Sequence, residues 1–217
     1  MPEITIKESL IQLLIFMPLF IISLAVHEFA HAASAYKLGD STAKRLGRLT
    51  LNPIKHLDLI GSVLMPLLAF AGGGYLIGWA KPVPVDTRNF KYPLMDDAIV
   101  SFMGPFSNFL LAVVFIILTA GFDFPIYGEI TFYGVMITGA YFNIFLFVFN
   151  LLPIPPLDGS FILYDLFPNR ATQNLLSLGR FGSLLLIIFL FSPLWNYFQN
   201  FVNWLFDSVL AISSTVI

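Results

Sequence analysis

The sequence predicts an all-α polytopic membrane protein with about four core spanning helices. Two observations carry that prediction. Of 217 residues, 58% are hydrophobic and 11% are charged, with a mean hydropathy of +0.84; soluble domains run about 45–50% apolar and about 25% charged. Several apolar runs also exceed the ~18 residues that mark a spanning helix. A net charge of −2 without a basic patch excludes nucleic acid as a partner. The chain has no cysteine, so disulfides and thiolate metal ligands are excluded. The first apolar run is too long for a cleavable signal core, and residues 1–217 read as one membrane-embedded domain.

Four spans follow directly, at about 9–36, 97–121, 131–152 and 180–194. A fifth run at 60–79 is broken by Pro66 and by Gly72, Gly73 and Gly74. Basic residues flank it on both sides: Lys37, Lys44, Arg45, Arg48 and Lys55 before, Lys81, Arg88 and Lys91 after. Since Lys and Arg concentrate on the cytoplasmic side, this run is expected to be a re-entrant hairpin or a shallow helix pair that enters and leaves by one face. Segment 122–130 carries two acids and no base, which places it outside; 153–180, with Arg170 and Arg180, lies inside. The N-terminus is then outside, Lys7 being the dissenting charge. Residues 196–210 alternate an apolar face (Tyr197, Phe198, Phe201, Val202, Leu205, Phe206, Val209) with a polar one. With Trp195 and Trp204 nearby, this segment is either an interfacial helix or a last membrane span packed on the bundle.

The first span carries the chemistry. HEFAH at 27–31 puts His27 and His31 at i and i+4, on one helix face, where two imidazoles can grip one Zn²⁺. Glu28 lies one residue round the helix, within reach of a water there rather than of the metal. Ionisable groups inside a spanning helix cost roughly 2.5–3.5 kcal/mol each on insertion scales, and a bound cation offsets that cost. If the helix ends near Tyr36, both histidines sit roughly 8–14 Å below the inner surface. A catalytic zinc takes a third protein ligand. Almost every other acid lies in a polar loop; Asp158, in NLLPIPPLDGS at 150–160, is the exception. The re-entrant reading of 60–79 brings helix three back to the same face as His31, where Asp158 can meet it.

These motifs resemble the site-2 protease family of intramembrane zinc metalloproteases. HEFAH is similar to its zinc-binding motif and NLLPIPPLDG to its second signature, whose aspartate supplies a ligand. GRLTLNPIKHLDLIGSV (47–63), GWAKPVPVD (78–86) and FMGPFSNFLLA (102–112) resemble its minimal prokaryotic branch, and the likeness covers roughly 20–165. Within these 217 residues no PDZ or CBS domain of the kind some members carry is expected.

The resemblance implies one catalytic zinc on His27, His31 and Asp158, with Glu28 as general base. It also implies a substrate or oxyanion role for Asn150, against which stands a plain helix-ending amide. Substrates would be transmembrane-helix proteins, cleaved in the bilayer of the cell membrane nearer its cytoplasmic face. Gly104, Pro105 and Asn108 are expected to support close packing against the metal helix. The proline-rich KPVPVD (81–86) and the strand-like RLTLN (48–52) are candidates to pair with an unwound substrate by strand addition. His56 is a loop residue, a proton shuttle or an extra ligand. The competing class is a non-proteolytic metal-binding membrane protein or a zinc transporter. Transporters usually carry paired repeats, which are absent here, and a structural zinc has no use for Glu28.

Overall fold

The computed structural model describes residues 6–65, 67 and 78–216. Its frame is three long antiparallel helices: α1 (Ile6–Lys37), α3 (Pro93–Thr119) and α4 (Phe132–Asn150). Among the described residues these three contain the helices long and apolar enough to cross a membrane. A bent pair, Arg170–Phe181 with Leu184–Leu190, meets at 92° and makes a fourth if taken as one span. A short helix α2 (Thr42–Arg45) follows α1. A hairpin of β1 (Pro125–Tyr127) and β2 (Ile130–Thr131) joins α3 to α4. After α4 come α5 (Asp158–Leu166), α6 (Arg170–Ser177), α7 (Gly182–Leu190) and α8 (Leu194–Val216).

Local chemistry sets the helix ends. Beyond α1, Gly39 takes φ +112, in the left-handed region that glycine enters without strain, and Asp40 N–H bonds back to Ala35 O at 2.9 Å. Pro93 opens α3, where its missing N–H costs nothing. Thr131 Oγ1 caps α4 by accepting from Gly134 N–H at 3.1 Å. Pro153, Pro155 and Pro156 prevent continuation past Asn150, so the chain turns before Asp158 opens α5.

The core lies where α1, α3 and α4 meet, around Leu19, Ala112, Ile116, Ala140 and Ile144, and it extends through Phe189, Phe198, Val202 and Phe206 of the C-terminal helices. One side of α8, with Phe198, Val202 and Phe206, packs on the bundle, while Tyr197, Phe201 and Trp204 stay exposed. Around 180–194 the structure differs from expectation. The run is divided: α7 has only 9 residues, about 14 Å of rise, and Pro193 stands between it and α8. The broken run 60–79 falls largely on 66 and 68–77, outside the described residues. Its two ends nonetheless meet: Trp79 N–H donates to Gly61 O at 3.1 Å and Ser62 Oγ–H to Trp79 O at 2.7 Å. The described ends of the run therefore lie side by side.

Candidate metal centre

His27 and His31 face α3 and the start of α5, and Asp158 comes in from the proline-rich turn. The Nε2 atoms of the two histidines are 3.0 Å apart; Asp158 Oδ2 is 3.2 Å from His27 Nε2, and its Oδ1 is 3.5 Å from His31 Nε2. Around a tetrahedral ion bound at about 2.0–2.1 Å, neighbouring ligand atoms lie about 3.3 Å apart. The separations fit.

Hydrogen bonds to the far side of each ring fix the tautomers. Val100 O can only accept, so His31 Nδ1 carries the proton (2.8 Å). Asn108 Oδ1 accepts from His27 Nδ1–H at 2.7 Å, because Asn108 Nδ2 donates elsewhere, to Asn143 Oδ1 at 2.8 Å and Ser23 O at 3.2 Å. With Nδ1 so engaged, each ring, when neutral, turns its Nε2 lone pair toward the other ring and toward the carboxylate. Three electron-rich atoms in a buried space repel unless a cation lies between them. Asp158 Oδ2 is buried without a hydrogen-bond partner, as an oxygen kept for a metal would be. Together His27, His31 and Asp158 could hold one ion.

The shell behind the histidines continues through three helices. Asn143 Nδ2 donates to Ser23 Oγ at 2.8 Å and Gly139 O at 2.8 Å, and Ser23 Oγ–H donates to Leu19 O at 2.7 Å. Ser23, Asn108 and Asn143 are all fully buried. Gly104 lets α3 approach: a Cβ there would lie 2.2 Å from His31 Nε2 and 2.8 Å from His27 Nε2. Close packing was expected of Gly104 and Asn108, but Asn108 does more, since it orients a ring. Asn143 and Ser23 went unremarked in the sequence; an asparagine inside an apolar span was the available signal.

Glu28 is buried, and its Oε2 accepts from the backbone N–H of Val83 at 2.9 Å. Neither 48–52 nor 81–86 forms a strand, and the only sheet among the described residues is β1–β2. Within 81–84 the two N–H groups, of Lys81 and Val83, are engaged with His56 O and Glu28. Pro82 and Pro84 have none, so this stretch has no donor to offer a paired strand. Asn150 ends α4 with one amide hydrogen donated to Leu146 O at 3.0 Å, one turn back in its own helix. His56 is 1% exposed and is no surface loop residue. It stands outside the ligand group, with Nε2–H donated to Thr50 O at 2.7 Å.

A second acidic pair lines a cavity of about 280 Å³ between α3 and α5, shared by Asp97, Asp165, Tyr164 and Thr87. Burial, with repulsion from Asp97, pushes the Asp165 carboxyl up to about 7. At the end of α1, burial alone would raise Asp40. Hydrogen bonds from Asp86 N–H, Thr42 and Asn89 outweigh it and hold that carboxyl below its ordinary value.

Residues 125–190, which include Asp158, match the sequence pattern of "Peptidase family M50". The chain is 38% identical over 205 residues to "Putative zinc metalloprotease YwhC" of Bacillus subtilis (strain 168), covering 90% of this chain and 89% of that protein. It is 33% identical over 189 residues to "Putative zinc metalloprotease Rip2" of Mycolicibacterium smegmatis, covering 87% and 71%. The Mycobacterium tuberculosis (strain H37Rv) protein of that name is 31% identical over 193 residues, with 87% and 71% covered. No solved structure gives a significant match.

Proposed function

The chain belongs to peptidase family M50, and from that premise we propose which of its residues carry the reaction. It is an integral membrane protein and a site-2-type intramembrane zinc metalloprotease acting on membrane proteins. On our reading, residues 1–217 form one membrane-embedded domain in which His27, His31 and Asp158 hold zinc. The observation that carries this is the convergence of two Nε2 lone pairs and an unpartnered carboxylate oxygen, 3.0–3.5 Å apart. A non-proteolytic zinc protein or transporter is not favoured, because neither needs a glutamate beside the ligands.

Zinc bound there supplies Lewis acidity and a water acidic enough to lose a proton near neutral pH. Glu28 would be the general base, taking a proton at a carboxylate oxygen and returning it to the leaving amine. Asn108 and Val100 keep both rings in the tautomer that leaves Nε2 free. Asn150 is proposed to hold the substrate or the developing oxyanion, which requires its side chain to turn from Leu146 O. The substrates are transmembrane helices, locally unwound, and cleaved in the cell membrane nearer the cytoplasmic face, where Lys and Arg concentrate on the loops.

The test is cleavage of a panel of single-span substrates by the purified protein in detergent, with Glu28→Gln alongside wild type. The variant retains zinc and loses cleavage, and chelated wild type recovers with added zinc. Equal cleavage by both proteins would withdraw the mechanism.

A further inference from the structure

Glu28 is met from a direction different from that of the histidines. They are held by α3, whereas the glutamate is held by the irregular segment 81–86, and by a backbone group. Val83 N–H donates to Glu28 Oε2 at 2.9 Å. Its neighbours Pro82 and Pro84 cannot donate, so no adjacent N–H competes for the carboxylate.

The segment is clamped on both sides of Val83. Two residues before it, Lys81 N–H donates to His56 O at 2.9 Å, and Lys81 O accepts from Arg48 Nη2. Three residues after it, Asp86 N–H donates to Asp40 Oδ2 at 2.9 Å. Asn89 Nδ2 reinforces that anchor by donating to Asp40 Oδ1 at 2.7 Å. Asp40 and His56 are 0% and 1% exposed, so both anchors are fixed in the protein interior. Two buried clamps bracket the proline-flanked N–H of Val83.

We infer that the backbone N–H of Val83 is the positioning group for Glu28, and that the strap 81–86 is built to deliver it. The inference rests on Glu28 being the general base. A glutamate side chain turns about three torsions; a fixed donor on one carboxylate oxygen holds the plane of the group and leaves the other oxygen to exchange the proton. The Val83 side chain has no part in it. Removing the N–H therefore differs from trimming the side chain, and a strap that instead blocked Glu28 would show the opposite sign.

The experiment uses the full-length, zinc-loaded protein in detergent with a substrate that wild type cleaves. Val83→Pro deletes the N–H and is expected to lower kcat about ten- to a hundredfold, with KM and zinc content little changed. Val83→Ala retains the N–H and loses far less. In a Glu28→Gln background Val83→Pro adds no further loss. A rise in kcat, or equal losses in Val83→Pro and Val83→Ala, overturns the inference.

Hydrogen exchange of the zinc-free protein decides independently of how Val83→Pro folds. The Val83 amide exchanges slowly in wild type and faster in Glu28→Ala; equal exchange in the two overturns the inference. The two levels separate cleanly. Full activity in Glu28→Gln removes the base assignment itself. Loss in Glu28→Gln with wild-type kcat in Val83→Pro removes only the strap's role.

Discussion

At the scale of single residues, the centre depends on groups that never touch a metal. His27 and His31 present Nε2 because something accepts from Nδ1: for His31 a backbone carbonyl that no side-chain substitution removes, for His27 the Asn108 amide. This asymmetry makes Asn108 the vulnerable support. Asn108→Ala is expected to lower zinc affinity about 10- to 100-fold, the usual cost of losing such a partner, read by competition with a chromophoric chelator. An unchanged affinity would mean that packing alone orients the ring. The HEFAH spacing was legible in the sequence, since i, i+4 follows from helix geometry. Asn108's partner was not, because the hydrogen bond joins residues 81 positions apart.

At the scale of elements, α5 begins with the Asp158 carboxylate and carries a second, Asp165, near its end. Asp165, pushed from its ordinary 3.8 to about 7 by burial and by Asp97, holds in the folded state a proton that the unfolded chain has already lost between those values. Stability must therefore fall as pH rises through that window, because the native state binds more protons there. Asp165→Asn is expected to abolish this part of the decline, seen as a flatter dependence of the thermal midpoint on pH from about 4 to about 7. A decline of equal slope in the variant would assign it to other groups. The C-terminal elements show where pattern reading stopped. Residues 180–194 are apolar throughout, and hydropathy alone cannot say whether such a run is one helix or a short helix and a turn. The amphipathic face of 196–210 was plain, yet a membrane surface and a helical bundle offer it the same apolar partner. The burial of Phe198, Val202 and Phe206 shows that part of this face meets the bundle, while Tyr197 and Phe201 remain exposed.

At the scale of the whole molecule, alternation of α1, α3 and α4 brings both signature motifs to one end and leaves the β1–β2 hairpin at the other. From Val100 to Thr119 the helix rises about 28 Å, close to the ~30 Å hydrocarbon thickness. The chain has no cysteine, so single cysteines can report on the two ends without background. Lys55→Cys and Glu129→Cys are expected to react with a membrane-impermeant maleimide from opposite sides of sealed vesicles. Labelling from the same side would refute the alternating arrangement. Lys and Arg asymmetry reached this topology from sequence because charge bias acts on each loop separately.

The sequence by itself determined the membrane class, the helix carrying HEFAH, the zinc chemistry that motif allows, and Asp158 as a candidate acid at the end of the third span. These are properties of composition and of spacing along one element. Tertiary structure alone decided that Asn108, Asn143 and Ser23 form one buried network and that Gly104 must lack a side chain. It also decided that Val83, an apolar residue between prolines, turns its N–H to Glu28. Those contacts join distant stretches of chain, and the donor at Val83 is a backbone group, which every residue except proline carries and no sequence pattern marks.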